Sequence, residues 1–300
     1  MPEPHNGTGR NHEILEHGGQ HHTGGLISLS GLPLSGKTTV VNILSKSGYW
    51  HSDGFLTDCR KVAQEILLAM GYSGVVLESM ISGRLRDAQS PIMRQTTRNL
   101  VHIIASLFSR HPYFADIWTQ RLMLRVHAVR KTGANVVLDD LASIQSARTV
   151  GAAGGMKIWI TRSENTLSRV RSGEDRVRLM EQMNALFPGP RWHHANQRSV
   201  LIETVLSTLL DCPSLLPGEK ETKAVVERSI DRILLPFVRG QIAFEEPAKN
   251  KMSDRRADIE IVNGGTLHDL SRAVEDIMAS TDLHMIAAAI QETDPHDSRS

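Results

Sequence analysis

Residues Gly31-Leu-Pro-Leu-Ser-Gly36-Lys37-Thr38 have the spacing G-x-x-x-x-G-K-[ST], the pattern of a phosphate-binding loop. In such a loop the glycines let successive backbone N–H groups curl around phosphate oxygens. A lysine adds a mobile positive charge, and the final hydroxyl faces a magnesium ion at a helix N-terminus. Gly31, Ser35, Gly36, Lys37, Thr38 and Thr39 are therefore the expected contacts for the phosphate chain of ATP. A second chemical feature is Asp139-Asp140, which follows the apolar run Asn135-Val-Val-Leu138. Two acids after a strand also serve as a helix cap or a solvated loop. With a phosphate loop upstream, they are expected to hold magnesium together with Thr38. Arg162 ends another apolar run and is the expected cation for a transferring phosphoryl group, making Lys37, Asp139 and Arg162 the catalytic candidates.

These groups need elements to carry them. Leu26 to Leu29 is a buried-strand candidate directly before the loop, and Val40, Val41, Ile43 and Leu44 have helical spacing after it. Val62, Ala63, Ile66, Leu67 and Met70 form a helical stripe that Gly71 stops. Further helices are expected after Pro91, with Leu100, Ile104, Leu107 and Phe108 on one face, and over Trp118 to Arg130. Strands are expected over 134–138 and Met156 to Thr161. This alternation predicts an α/β fold with a doubly wound parallel sheet.

With 300 residues the chain can build one large core with an insertion. Its formal charge of +1 and 4% aromatic content argue against a nucleic-acid surface. Cys59 and Cys212, the only two cysteines, offer neither a disulfide framework nor a paired metal motif, which suits the cytoplasm. No apolar run is long enough to span a bilayer. Residues 1–25 are polar, and the irregular spacing of His5, His12, His17, His21 and His22 reads as a solvated, disordered arm rather than a metal site. The expected layout is that arm, a core over 26–162, a helical lid or insertion over 163–255, the last core strand and helix over 256–281, and a tail over 282–300. The insertion opens with Arg169, Arg171, Arg176 and Arg178, which read either as a lid supplying cations or as a solvated helix face.

The core resembles the bacteriophage deoxynucleoside monophosphate kinases, within the P-loop nucleoside monophosphate kinase superfamily. Phe55-Leu-Thr-Asp58-Cys-Arg-Lys61 is similar to a segment in which an aromatic precedes Ala-Asp-x-x-Lys, and Arg98, Arg110 and Trp118 match a later Arg, Arg, Trp series. Gly154-Gly155 and Ile261-Val-Asn263-Gly-Gly265-Thr-Leu-His-Asp-Leu270 fit the family's last strands, Asn-containing turn and final helix. Thr266 with Asp269 has the spacing of a box cap. The resemblance implies a P-loop kinase fold, ATP and magnesium as cofactors, a (deoxy)nucleoside monophosphate as acceptor, and a role in deoxynucleotide metabolism in the host cytoplasm. It implies Asp58, Lys61, Arg98, Arg110 and Trp118 as acceptor contacts, and it leaves a homodimer open.

The chain departs from that pattern after Asp140, where Leu141-Ala-Ser-Ile-Gln-Ser146 replaces an Arg and an Asn-Glu pair, and at His102, which replaces a Gln. Two further readings therefore stand beside the first: a kinase of another small acceptor, such as dephospho-coenzyme A or a modified nucleotide, and a nucleotide-binding protein without transfer activity.

Overall fold

Leu26, Ile27 and Leu29 lie on β1 (Leu26–Gly31), the middle strand of a five-stranded sheet. The others are β2 (Trp50–Asp53), β3 (Asn135–Leu138), β4 (Met156–Arg162) and β5 (Ile259–Asn263), in the order β2-β3-β1-β4-β5. Every pairing is parallel, with Ile27 opposite Val137 on one side and Met156 on the other. The computed structural model describes residues 24–31, 35–46, 48–139, 144–162, 181, 196–244, 257–264 and 266–292. Asp140, the arm up to residue 23, and Arg169, Arg171, Arg176 and Arg178 lie outside the described residues.

Parallel strands need crossovers, and here the crossovers cover both faces of the sheet. On one face, α1 (Lys37–Lys46) and α10 (Leu267–Glu292) close a core of Ile27, Leu29, Val40, Leu44, Ile160, Ile261 and Val274. On the other, α5 (Ile117–Lys131) and α6 (Ile144–Ala152) pack Leu122, Val126, Ala147 and Val150 onto Leu26, Val136 and Leu138. The chain is thus α/β with an all-parallel sheet, compatible with double winding. Ser28 and Ser30 are buried on β1, where each hydroxyl donates to a carbonyl of β4, Met156 and Ile158 respectively.

A third core is entirely helical. It joins α2 (Thr57–Ala69), α3 (Gly74–Ile81), α4 (Thr97–Ser106) and the start of α5 to α7 (Gln197–Leu210), α8 (Glu219–Ser229), a π turn (Ile230–Leu234) and α9 (Leu235–Val238). Ile66, Leu67, Leu100 and Ile104 pack there with Leu201, Val205, Val226 and Phe237. Residues 197–238, within the expected lid or insertion, share this core with residues 57–118. Leu107 and Phe108, expected on α4, follow its end but stay buried.

Both expected chain-end boundaries shift. Gly24 and Gly25 belong to the core: Gly24 N–H donates to Arg130 O and Val136 N–H to Gly25 O. At the other end α10 continues through the expected tail to Glu292, because the Ala-rich run 286–290 favours helix and no glycine or proline interrupts it. The expected cap is formed, with Thr266 N–H donating to Asp269 Oδ2 and Asp269 N–H to Thr266 Oγ1.

Helix α5 belongs to two cores at once, Ile117 and Trp118 to the helical one and Leu122 and Val126 to the sheet. At that junction it projects Arg121 and Arg125. Arg121 Nε donates to Asp58 Oδ2 at 3.1 Å and its Nη1 to Leu209 O at 3.3 Å, while Arg125 Nη1 meets the same Asp58 oxygen at 2.7 Å. Asp58 is only 2% exposed and Arg121 only 5%. Deleting one member of a buried ionic cluster leaves the others desolvated without compensation. Asp58→Ala is accordingly expected to lower stability by about 3–5 kcal/mol, read as a shifted denaturant midpoint. An unchanged midpoint would free Asp58 for a role in ligand contact.

Candidate functional site

In a parallel sheet, ligands collect beyond the strand C-termini, where neighbouring strands send their connections to opposite faces. That reversal lies between β1, which runs on to α1, and β3, which runs towards α6 across the sheet. The Gly31–Thr38 segment follows β1 and Asp139 follows β3, so the strand order brings the two sequence features to one crevice.

The described part of the segment is tightly constrained. Gly31 has φ 142°, and a Cβ there would stand 2.2 Å from Ile160 O. Gly36 has φ 109°, and its Cβ would stand 2.6 Å from Asn263 Nδ2. Both conformations are open to glycine and strained for other residues. Lys37 Nζ folds back to donate to Gly31 O at 2.9 Å, holding the ammonium over the segment. Ser35 is 1% exposed, and its Oγ has no hydrogen-bond partner among the described residues. A buried donor beside a helix N-terminus is chemically matched to an anion. Thr38 is exposed and Thr39 half-buried in the first turn of α1.

Asp139 is half-buried, with Oδ1 shielded from water, and its N–H donates to Asp53 O at 3.2 Å. Arg162 is half-buried at the end of β4, opposite Asn263. The pleat puts Arg162 on the same face as Ile160 and so on the face of α1.

The expected acceptor residues do not converge. Lys61 and Arg110 are exposed. Arg98 forms a two-pronged pair with Asp87, at 2.5 and 3.2 Å. Asp58 is enclosed by the two arginines of α5, and Trp118 is 6% exposed, with Nε1–H donating to Ile104 O at 3.2 Å and its ring 6.0 Å from Phe108. Both have internal partners, the carboxylate because a buried charge needs cations and the indole because its ring fills the helical core.

Two contacts went unnoticed in the sequence. Asn263 Nδ2 donates to Ser35 O at 2.8 Å. Asp53, at the end of β2, takes a fork from Arg125, Nε to Oδ2 at 2.8 Å and Nη2 to Oδ1 at 3.2 Å. No local spacing marks either contact; only the strand order shows them. Burial pushes the Asp53 carboxyl up, but the hydrogen bonds from Arg125 and its neighbours outweigh it and hold the group below the usual carboxylate range. Burial likewise opposes the charge on Arg125, and Asp53 and Asp58 more than restore it.

Because the folded state lowers this carboxyl, its stabilisation is complete above the ordinary value of about 3.9 and disappears as pH falls through the lower folded value. In Arg125→Ala only the Thr57 and Gly54 hydrogen bonds remain to oppose burial, so the depression shrinks. The stability gap between wild type and Arg125→Ala should therefore be widest near neutral pH and narrow below about pH 4, as measured by urea unfolding across pH. A constant gap would show that Asp53 is not the group Arg125 serves. No protein-family model matches the chain, and no curated protein is similar enough to it to count as a relative.

Proposed function

We propose that the protein transfers the γ-phosphoryl group of ATP to the phosphate of a (deoxy)nucleoside monophosphate, with magnesium. One observation carries this reading: a G-x-x-x-x-G-K-T segment leaves the central strand at the switch point, its lysine folded over it and its buried serine hydroxyl lacking a partner among the described residues. Such transfer asks for in-line placement of two anions and for charge stabilisation rather than covalent chemistry.

Lys37 would move from the Gly31 carbonyl to the donor phosphates, since a phosphate is the stronger partner for an ammonium. The N–H groups at the start of α1 and the Ser35 hydroxyl would bind the same anion. Arg162, rising beside the segment on the face of α1, would offset charge spread over the transferring group. No general base is needed, because the acceptor phosphate already carries a nucleophilic oxygen.

Among the described residues no group of three or more His, Cys, Asp or Glu side chains could hold a metal. Magnesium does not need one, as it is usually held by one or two protein oxygens together with phosphate and water. The Thr38 hydroxyl and the Asp139 carboxylate fit that donor set, and the ion would neutralise charge on the donor phosphates.

Asp58 and Trp118 are assigned here to the scaffold, which leaves Lys61 and Arg110 as the exposed cations for an acceptor. That sparse set favours keeping a second reading, a kinase of another small phosphorylated acceptor. ADP formation measured across nucleoside and deoxynucleoside monophosphates, dephospho-coenzyme A and a no-acceptor control separates the two. Lys37→Ala should fold normally and lower turnover on the order of 100–1,000-fold; near-normal turnover in that variant would remove the segment from catalysis. Asp139→Asn should raise the magnesium concentration needed for half-maximal rate, and an unchanged requirement moves the metal site elsewhere. ATP binding without transfer to any acceptor would leave a nucleotide-binding protein.

A further inference from the structure

The amide of Asn263 reaches the Gly31–Thr38 segment across 228 positions, donating to Ser35 O. We propose that Asn263 is a positioning residue that sets the direction of the Ser35–Gly36 peptide and thereby the donor array of the phosphate-binding segment. The inference rests on the nucleotide-binding part of the function proposed above.

The argument is one of peptide geometry. In a trans peptide the carbonyl of one residue and the N–H of the next point in opposite directions, and none of the described peptide bonds is cis. Holding Ser35 C=O on Asn263 Nδ2 therefore turns Gly36 N–H the other way. A free Ser35–Gly36 peptide could rotate, because Gly36 tolerates conformations closed to other residues, and its inverted state would present a carbonyl dipole to an incoming phosphate. Across the same Cα, Gly36 O begins α1 by accepting Val40 N–H at 3.0 Å, so a rotation taken up in φ at Gly36 would reach the first helical turn.

Asn263 is well placed to resist such a rotation. It ends β5 in register with Arg162 of β4, and Ile261, two residues earlier, is 3% exposed in the core beneath α1 and α10. Just beyond, the reciprocal Thr266–Asp269 cap fixes the start of α10, whose Leu270 would lie 3.6 Å from a Cβ on Gly36. The donor is thus held by the sheet below and the helix above. The amide is short, uncharged and a donor, a combination that neither Asp nor Leu offers.

The test compares full-length wild type, Asn263→Ala and the isosteric Asn263→Asp. Magnesium-ATP and magnesium-pyrophosphate are titrated calorimetrically, and amide exchange is followed over residues 35–46 without ligand. Asn263→Ala is expected to weaken both ligands by about tenfold, equally because the segment and not the base is affected, and to speed exchange at the start of α1. Asn263→Asp, which cannot donate and sets a negative charge against the Ser35 carbonyl, should lose at least as much. Wild-type affinity in the folded Ala variant overturns the proposal. If wild type itself binds neither ligand, the proposed function fails, and exchange in the ligand-free chain then decides the role of Asn263: faster exchange in the variants upholds it, and an unchanged rate overturns it.

Discussion

All the strands run one way, and this directional constraint organises everything the site contains. A parallel sheet gathers the C-terminal ends of its strands on a single edge, so the segment after β1, the acid after β3, the arginine ending β4 and the asparagine ending β5 all face the same side. The order of strands then sets lateral spacing. With β3 beside β1, Asp139 starts about one strand spacing, roughly 4.8 Å, from the Gly31–Thr38 segment; placed beyond β2 it would start about twice as far away. The crevice exists because β1 and β3 are neighbours whose chains leave in opposite directions.

The second organising element is α5, a single helix of 15 residues that contributes apolar side chains to both the helical cluster and the sheet. Its arginines occupy the seam between those cores, where aliphatic side chains would also have packed. Buried ion pairs bring little net stability over apolar replacements, but they impose direction. Arg125 meets Asp53 at the end of β2 and Asp58 at the start of α2, and Arg121 reaches the α7 carbonyl of Leu209. These bonds fasten the helical cluster to the strand whose final carbonyl receives the Asp139 N–H.

The legible parts of the sequence were those with a strong period or a local motif. β1, β3 and β4 are apolar runs, α1, α2 and α5 carry helical stripes, and the Thr266–Asp269 cap follows from spacing alone. β2 was not legible: Trp50-His-Ser-Asp53 buries only its first residue and pairs on one side, leaving no alternation to read. The helices at 197–238 were legible as helices, but their partners were not, because an apolar stripe does not specify which other stripe covers it. The same applies to Asp58 and Trp118. Their place in a motif says nothing about burial, and the arginines that enclose Asp58 lie more than sixty positions along the chain. At the site itself, the Gly31–Thr38 segment was legible as letters, while the contact that braces it was not.

The bond between Ser35 and Asn263 has a consequence for the order in which the molecule is made. A ribosome releases the Gly31–Thr38 segment before β5, and the separation of 228 positions takes roughly 10–50 s to synthesise at ordinary rates. Until β5 joins β4, the emerging chain carries the segment without its brace, next to a sheet that still lacks an edge strand. Long-range pairing of this kind is costly in loop entropy and slow to form. A nascent or C-terminally shortened chain would present the same eight letters with a freer Ser35–Gly36 peptide, so that the braced form of the segment arrives with β5 and not with the motif.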